Sequence, residues 1–186
     1  GGASIAAEAG ANLKKSALEL GGNDAFLILE DADFELLKDT IFFARLYNAG
    51  QVCTSSKRFI VVGEENYKKF LDMVVETFKT AKWGDPMDPE TTLAPLSSAE
   101  AKEEVLGQIK LAADNGARVV YGNKPIDHPG NFVFPTVLTD ITKENPIYNQ
   151  EIFGPVASIY KVDTEEEAIA LANDSSYGLG GTVFPK

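Results

Sequence analysis

The sequence predicts an α/β fold, and three observations carry that expectation. Short β-branched runs recur along the chain, amphipathic stretches of about ten or more residues separate them, and glycine, proline and aspartate mark the boundaries. At 186 residues, with 44% hydrophobic and 24% charged content, the chain suffices for one large domain with a sizeable core.

The elements follow in order. Ala3 to Lys15 is alanine-rich and favours helix. SALEL, Ser16 to Leu20, reads as an apolar strand that ends in the turn GGND, and AFLILE, Ala25 to Glu30, as the next strand. Asp31 or Asp33 is the natural cap of a helix running from Phe34 to Asn48. Leu36, Leu37, Thr40, Ile41, Ala44 and Tyr47 fall at helical spacing along it, and Gly50 marks its end. KRFIVV, Lys57 to Val62, is a strand. Glu64 to Thr80 is an amphipathic helix with Tyr67, Phe70, Leu71, Val74, Val75 and Phe78 on one side. Trp83 to Ser98 is too proline-rich for either element. Ala99 to Asn115 is a helix ended by Gly116, ARVVYG a short strand, and NKPIDHPG a polar loop leading into NFVFPTVL. Pro155 to Val162 is a further strand. Thr164 then caps a helix from Glu165 to Asn173, with Glu167 at the capping-box position.

The net charge of −11 argues against nucleic acid or an anionic membrane surface as partner. No apolar run approaches the 18 or so residues that read as a bilayer span. A single cysteine, Cys53, rules out an internal disulfide and fits a reducing, cytoplasmic setting. The opening GGASIAAEAGANLKK lacks the pattern of a signal peptide, and both ends look cut, so a piece of a longer protein is expected. No grouped metal ligands are present in the pattern.

Cys53 closes the stretch NAGQVC, after a long helix and before a strand. A lone cysteine is commonly a small buried hydrophobe, yet this position lets backbone amides face a ligand, and a free thiol is a competent nucleophile at neutral pH. Lys57 and Arg58 follow closely as possible influences on the thiol. Glu19, in LELGG, reads either as an outward-facing strand residue or as a general base held at a strand end, where glycines allow close approach. His128, the single histidine, lies in a polar loop and reads as a surface residue. GLGG, Gly178 to Gly181, lacks the setting of a dinucleotide fingerprint and reads as a turn.

LELGGNDA and NAGQVCTSS resemble the glutamate and cysteine signatures of the NAD(P)-dependent aldehyde dehydrogenases, with Glu19 and Cys53 34 residues apart. EIFGPV, Glu151 to Val156, resembles a third motif of that family and SSYGLGGTVF a fourth, so the resemblance covers essentially the whole chain. QVCTSSKRFIVV is similar to the bacterial branch that acts on succinate semialdehyde. The resemblance implies a three-layer α/β/α catalytic domain with a central, mostly parallel sheet. Residues 1–20 would be the tail of a cofactor-binding domain and residues 21–186 a catalytic domain truncated at its C-terminus.

By the same resemblance, Cys53 would attack an aldehyde and carry a thioester, and Glu19 would activate the hydrolytic water. The Cys53 amide would supply half of an oxyanion hole. Glu151 would bond the ribose of NAD or NADP, Phe153 would pack near the nicotinamide, and Leu20 and Gly21 would line the cleft. The parent would be a homo-oligomer acting on a small aldehyde, and this chain alone would be inactive. Gln150 departs from the family's usual glutamate. Ser55 also departs, which points to a more polar pocket wall beside Cys53. Lys57 and Arg58 read more readily as surface or interface charges than as contacts to a carboxylated substrate. Two other readings stay open: a standalone cysteine hydrolase or transferase using Cys53 and Glu19, and a non-catalytic domain.

Overall fold

The computed structural model describes residues 1–185. Its elements are α1 (Gly2–Ala11), β1 (Ala25–Ile28), α2 (Phe34–Leu46), β2 (Arg58–Val62), α3 (Glu64–Lys79), α4 (Ala99–Asp114), β3 (Arg118–Tyr121), β4 (Thr136–Thr139), β5 (Val156–Val162), α5 (Glu165–Asn173) and β6 (Gly181–Phe184). The six strands form one sheet in the order β3-β4-β5-β2-β1-β6. Among the described residues only the β3–β4 pair is antiparallel; the other four pairings are parallel.

Every residue of β1, β2 and β4 is buried, as it must be when both faces of a parallel sheet are covered. Neighbouring residues of β2 identify the two covering layers. Arg58 reaches the C-terminal carbonyls of α5, at Leu171 and Ala172, while Phe59 packs its ring on Phe70 of α3. Adjacent strand residues point to opposite faces, so α5 and α3 lie on opposite sides and the domain has three layers.

The helix boundaries follow local chemistry. The Asp33 carboxylate accepts the amides of Glu35 and Leu36 at the start of α2, a cap that contributes about 1 kcal/mol. Thr164 accepts the Glu167 amide, and the Glu167 carboxylate reaches back to the Asp163 amide. In α3 the expected stripe is centred on Phe70, Val74 and Phe78, all buried.

Three expectations need correction. Ser16–Leu20 is not a strand: it has no neighbouring strand among the described residues, and every one of its side chains is exposed. The face assigned to α2 is rotated. Leu36 and Tyr47 are exposed, and the stripe Leu37, Ile41, Arg45 is buried, with a cation that the expected face left out. GLGG, expected to be a turn throughout, gives its last glycine, Gly181, to edge strand β6, which pairs with β1.

No helix of the described residues is long and apolar enough to cross a membrane. None of the residues of α1 is buried.

Candidate active site

Helix α2 stops at Leu46, and the chain makes a short turn, Tyr47–Gly50, before reaching Cys53. Asn48, Ala49 and Gly50 have consecutive φ values of 52°, 54° and 75°, a left-handed stretch that L-residues enter at a cost of about 1–2 kcal/mol each. Close contacts hold it there. The Asn48 side chain donates to the Gln51 carbonyl at 3.1 Å, and the Gln51 amide returns a bond to the Asn48 carbonyl at 3.1 Å. Gln51 Oε1 also accepts the Ser97 amide at 2.9 Å.

Arg45 fixes this turn against the EIFGPV segment. It is fully buried, and its guanidinium donates to the carbonyls of Gly50 (3.2 Å), Ile152 (2.7 Å) and Val156 and to Ser55 Oγ (2.8 Å). Burial pushes its pKa down to about 9, opposed by the charge of Glu151. Its partners are two on the cysteine side and two on the Glu151 side, so one cation joins two loops about 100 residues apart in sequence. Ser55 is therefore buried on Arg45, and the expected polar pocket wall is not formed by it.

Three motifs meet at Glu151 and Lys57. Glu151 Oε1 accepts the Gly22 amide at 3.1 Å and pairs with the Lys57 ammonium at 3.1 Å. Lys57 Nζ also donates to the carbonyls of Val52 (2.8 Å) and Cys53 (2.6 Å), which satisfies all three of its donors. Burial pulls the Lys57 pKa below its ordinary value, and the bond to Glu151 opposes the shift.

The two glycines of LELGG are needed here for space. A Cβ on Gly21 would lie 2.2 Å from Glu151 Oε2, and one on Gly22 would lie 2.6 Å from the Cys53 carbonyl oxygen. Each glycine presses against one of the other two motifs. Lys57 and Arg58 are thus corrected from surface charges to buried ones. Lys57 turns to the cysteine loop, and Arg58 turns to Asn23 and the end of α5.

An open groove of about 590 Å³ is lined by Glu19, Leu20, Gly21, Gln51, Val52, Cys53, Glu151 and Phe153. All six residues singled out from the sequence, Cys53, Glu19, Glu151, Phe153, Leu20 and Gly21, therefore share one concave surface. Cys53 is half-buried, while Glu19 and Phe153 are exposed. Glu19 and Cys53 make no hydrogen bond with each other among the described residues. His128 is exposed outside the groove, packed beside Trp83 and Phe132. No cluster of His, Cys, Asp or Glu suited to a metal ion occurs among the described residues.

Sequence reasoning missed Arg45 and Gln108, and it placed Lys57 near the thiol without finding its pairing with Glu151. The signal for Arg45 was a cation at i+4 from Ile41 on an apolar stripe. Gln108 of α4 donates to the Glu151 carbonyl at 3.0 Å and to Gln150 Oε1 at 3.1 Å, while Gln150 donates to the Pro146 carbonyl at 2.9 Å. An amide at position 150 suits this chain of bonds, because a carboxylate cannot supply the last donor.

The aldehyde dehydrogenase family model matches residues 1–186, the whole chain. The chain belongs to the aldehyde dehydrogenase family. A solved structure of succinic semialdehyde dehydrogenase from Streptococcus pyogenes, in complex with NADP+, is 68% identical with a TM-score of 0.97, covering 100% of this chain and 40% of that one. A succinate-semialdehyde dehydrogenase [NADP(+)] from Deinococcus radiodurans is 48% identical over 183 residues, 98% of this chain and 38% of the relative. Betaine aldehyde dehydrogenase from Staphylococcus aureus, solved with NAD+, is 37% identical with a TM-score of 0.92, covering 100% of this chain and 37% of that one. The mostly parallel three-layer fold is that of these family structures. The chain spans about two fifths of the length of the relatives it matches.

Proposed function

We propose that this chain supplies the thiol half of an enzyme that oxidises an aldehyde, succinate semialdehyde in the first instance, to its acid with NAD+ or NADP+. The observation that carries the reading is the convergence of Cys53, Glu19, Glu151, Phe153, Leu20 and Gly21 on one groove. The similarity to relatives named for succinate semialdehyde and NADP(+) favours that substrate and that cofactor.

The residues fit a nicotinamide cofactor. Glu151 lines the groove, and its Oε2, beside Gly21, has no hydrogen-bond partner among the described residues, an acceptor suited to a ribose hydroxyl. The absent side chain of Gly21 leaves open the space beside that oxygen. Exposed Phe153 offers a flat apolar surface for a ring. Bound there, the cofactor supplies the hydride acceptor.

In this reading Cys53 Sγ attacks the aldehyde carbon as thiolate and forms a tetrahedral adduct. The Cys53 amide, which donates to no group among the described residues, stabilises the resulting oxyanion. After oxidation the acyl group rests on Cys53 as a thioester. Glu19 then takes a proton from water, hydroxide adds to the thioester carbon, and collapse expels the Cys53 thiolate with the acid. Residues 1–20 belong, in this proposal, with a cofactor-binding domain and residues 21–186 with the catalytic domain of a homo-oligomeric, cytoplasmic enzyme.

The test measures NADPH formation from succinate semialdehyde by the longer polypeptide carrying this chain. Cys53→Ala should abolish it, and Glu19→Gln should stop turnover after one acyl group per site. Equal steady-state rates in the 186-residue chain and the longer polypeptide would overturn the division of labour. Cofactor-independent ester hydrolysis with no aldehyde oxidation would favour a standalone hydrolase.

A further inference from the structure

The Lys57 ammonium occupies an unusual position for a buried cation. It neither faces the groove, whose lining it does not join, nor pairs with a carboxylate alone. Its three donors are divided between two carbonyls of the cysteine loop and one oxygen of Glu151. The Glu151 oxygen it holds is also the one held by the Gly22 amide, so Oε1 is doubly occupied and Oε2 is left beside Gly21, a residue of the groove lining. Lys57 and the Gly22 amide thus together fix which carboxylate oxygen is presented.

On its other side, Lys57 Nζ lies 2.6 Å from the Cys53 carbonyl oxygen, and because that oxygen is covalently about 3 Å from the carbon bearing the thiol, the ammonium lies within about 6 Å of that carbon. A positive charge at that range, in a buried setting, acts on a developing thiolate far more strongly than one in bulk water.

We propose that Lys57 is a positioning residue that couples the nucleophile to the cofactor side of the groove, holding Glu151 Oε2 outward and placing its ammonium behind Cys53. This rests on the dehydrogenase reading of the groove. The two ends are linked through one ammonium, so the charge on Glu151 is felt at Cys53. With the carboxylate present, part of the ammonium field is cancelled; with it removed, the field on the thiolate increases. The remaining charged groups around the site are Glu19 in the groove, Arg45 behind the loop, and Asp24, whose carbonyl accepts the Lys57 backbone amide and whose charge acts on the ammonium.

Cys53 is the sole thiol of the chain, so its alkylation by iodoacetamide reports on this coupling directly. In the 186-residue chain, Lys57→Met removes the ammonium and keeps the stem, and the alkylation rate at pH 7 should fall about tenfold. Glu151→Gln keeps an acceptor for Lys57 and removes the negative charge, and the rate should rise several-fold. Shifts of opposite sign are the signature of coupling, since loosening of the fold alone would expose the thiol in both variants.

Far-ultraviolet circular dichroism establishes that each variant is folded. If Lys57→Met does not fold, the Glu151→Gln rate alone decides: an increase supports the coupling and an unchanged rate overturns it. Unchanged rates in both folded variants, or changes of the same sign, also overturn it. In the longer polypeptide, Lys57→Met should raise KM for NADP+ about tenfold and KM for the aldehyde little. Opposite thiol shifts without any aldehyde oxidation would refute the dehydrogenase reading while leaving the coupling intact.

Discussion

Gly50→Ala tests whether the close approach of the cysteine loop to the EIFGPV segment is a real constraint. Gly50 sits at φ 75°, and a Cβ built there would lie 2.2 Å from the Gly154 carbonyl oxygen and 2.5 Å from its carbon. Both neighbouring atoms are backbone, so no side chain can swing aside. Alanine incurs the left-handed penalty of about 1–2 kcal/mol. It also forces the two segments apart by about an ångström, an overpacking cost of about 1–3 kcal/mol. The expected loss is about 2–5 kcal/mol, a large share of the roughly 5–15 kcal/mol that holds a domain folded.

Gly116→Ala separates the two contributions. Gly116 has φ 97°, and nothing lies within 4 Å of its built Cβ, so only the backbone penalty applies. Urea unfolding of both variants, followed by circular dichroism, should place the Gly50→Ala midpoint below that of Gly116→Ala by the equivalent of about 2 kcal/mol at equal slope. Coincident midpoints would refute the argument that Gly50 is demanded by the approach of Gly154.

Gly107 lies inside α4 with open space around its built Cβ, so Gly107→Ala should stabilise the chain by about 1 kcal/mol and raise Tm by about 2–4 °C in a thermal melt. Tyr148 gives an alkaline prediction. Burial, aided by its bond to Asp174, pushes its phenol up to about 12. The folded value lies above the ordinary 10, so this contribution is complete below pH 10 and is lost as pH rises through about 12. Tyr148→Phe should therefore lose less stability than the parent chain between pH 10 and 12 in urea titrations.

Much of the fold was legible because local signals and tertiary demands agree. Glu165–Asn173 was bounded by Thr164 and Glu167, whose capping bonds are both formed, and Phe70, Val74 and Phe78 reported the buried side of α3 directly. Ser16–Leu20 misled because its apolar run resembles a strand, while a strand also needs a neighbour to bond, and sequence composition says nothing of that neighbour. Gly181, the last residue of GLGG, misled the other way: a four-residue strand beginning with glycine gives little signal, and pairing with β1 decides the matter.

The groove was legible through its motif residues, and its scaffold was not. Cys53, Glu19 and Glu151 carry chemistry that a reader of the sequence seeks. Lys57 and Arg45 are charges of kinds normally assigned to the surface. Their burial depends on partners about 100 residues distant, the Ile152 and Val156 carbonyls for Arg45 and the Glu151 carboxylate for Lys57. Gly21 and Gly22 look like turn residues, yet their need arises from Glu151 and the Cys53 carbonyl.

Arg45 has a consequence for how this domain can change over generations or in the hands of an engineer. Its guanidinium holds Gly50 and Ser55 on one side and Ile152 and Val156 on the other, with no carboxylate in direct contact among the described residues. Displacing any of these acceptors leaves part of a cation stranded in the interior, and replacing Arg45 strands the acceptors instead. Substitutions in NAGQVC and EIFGPV are therefore expected to be strongly non-additive. The two motifs form one heritable unit, altered together or kept together, although the chain writes them far apart.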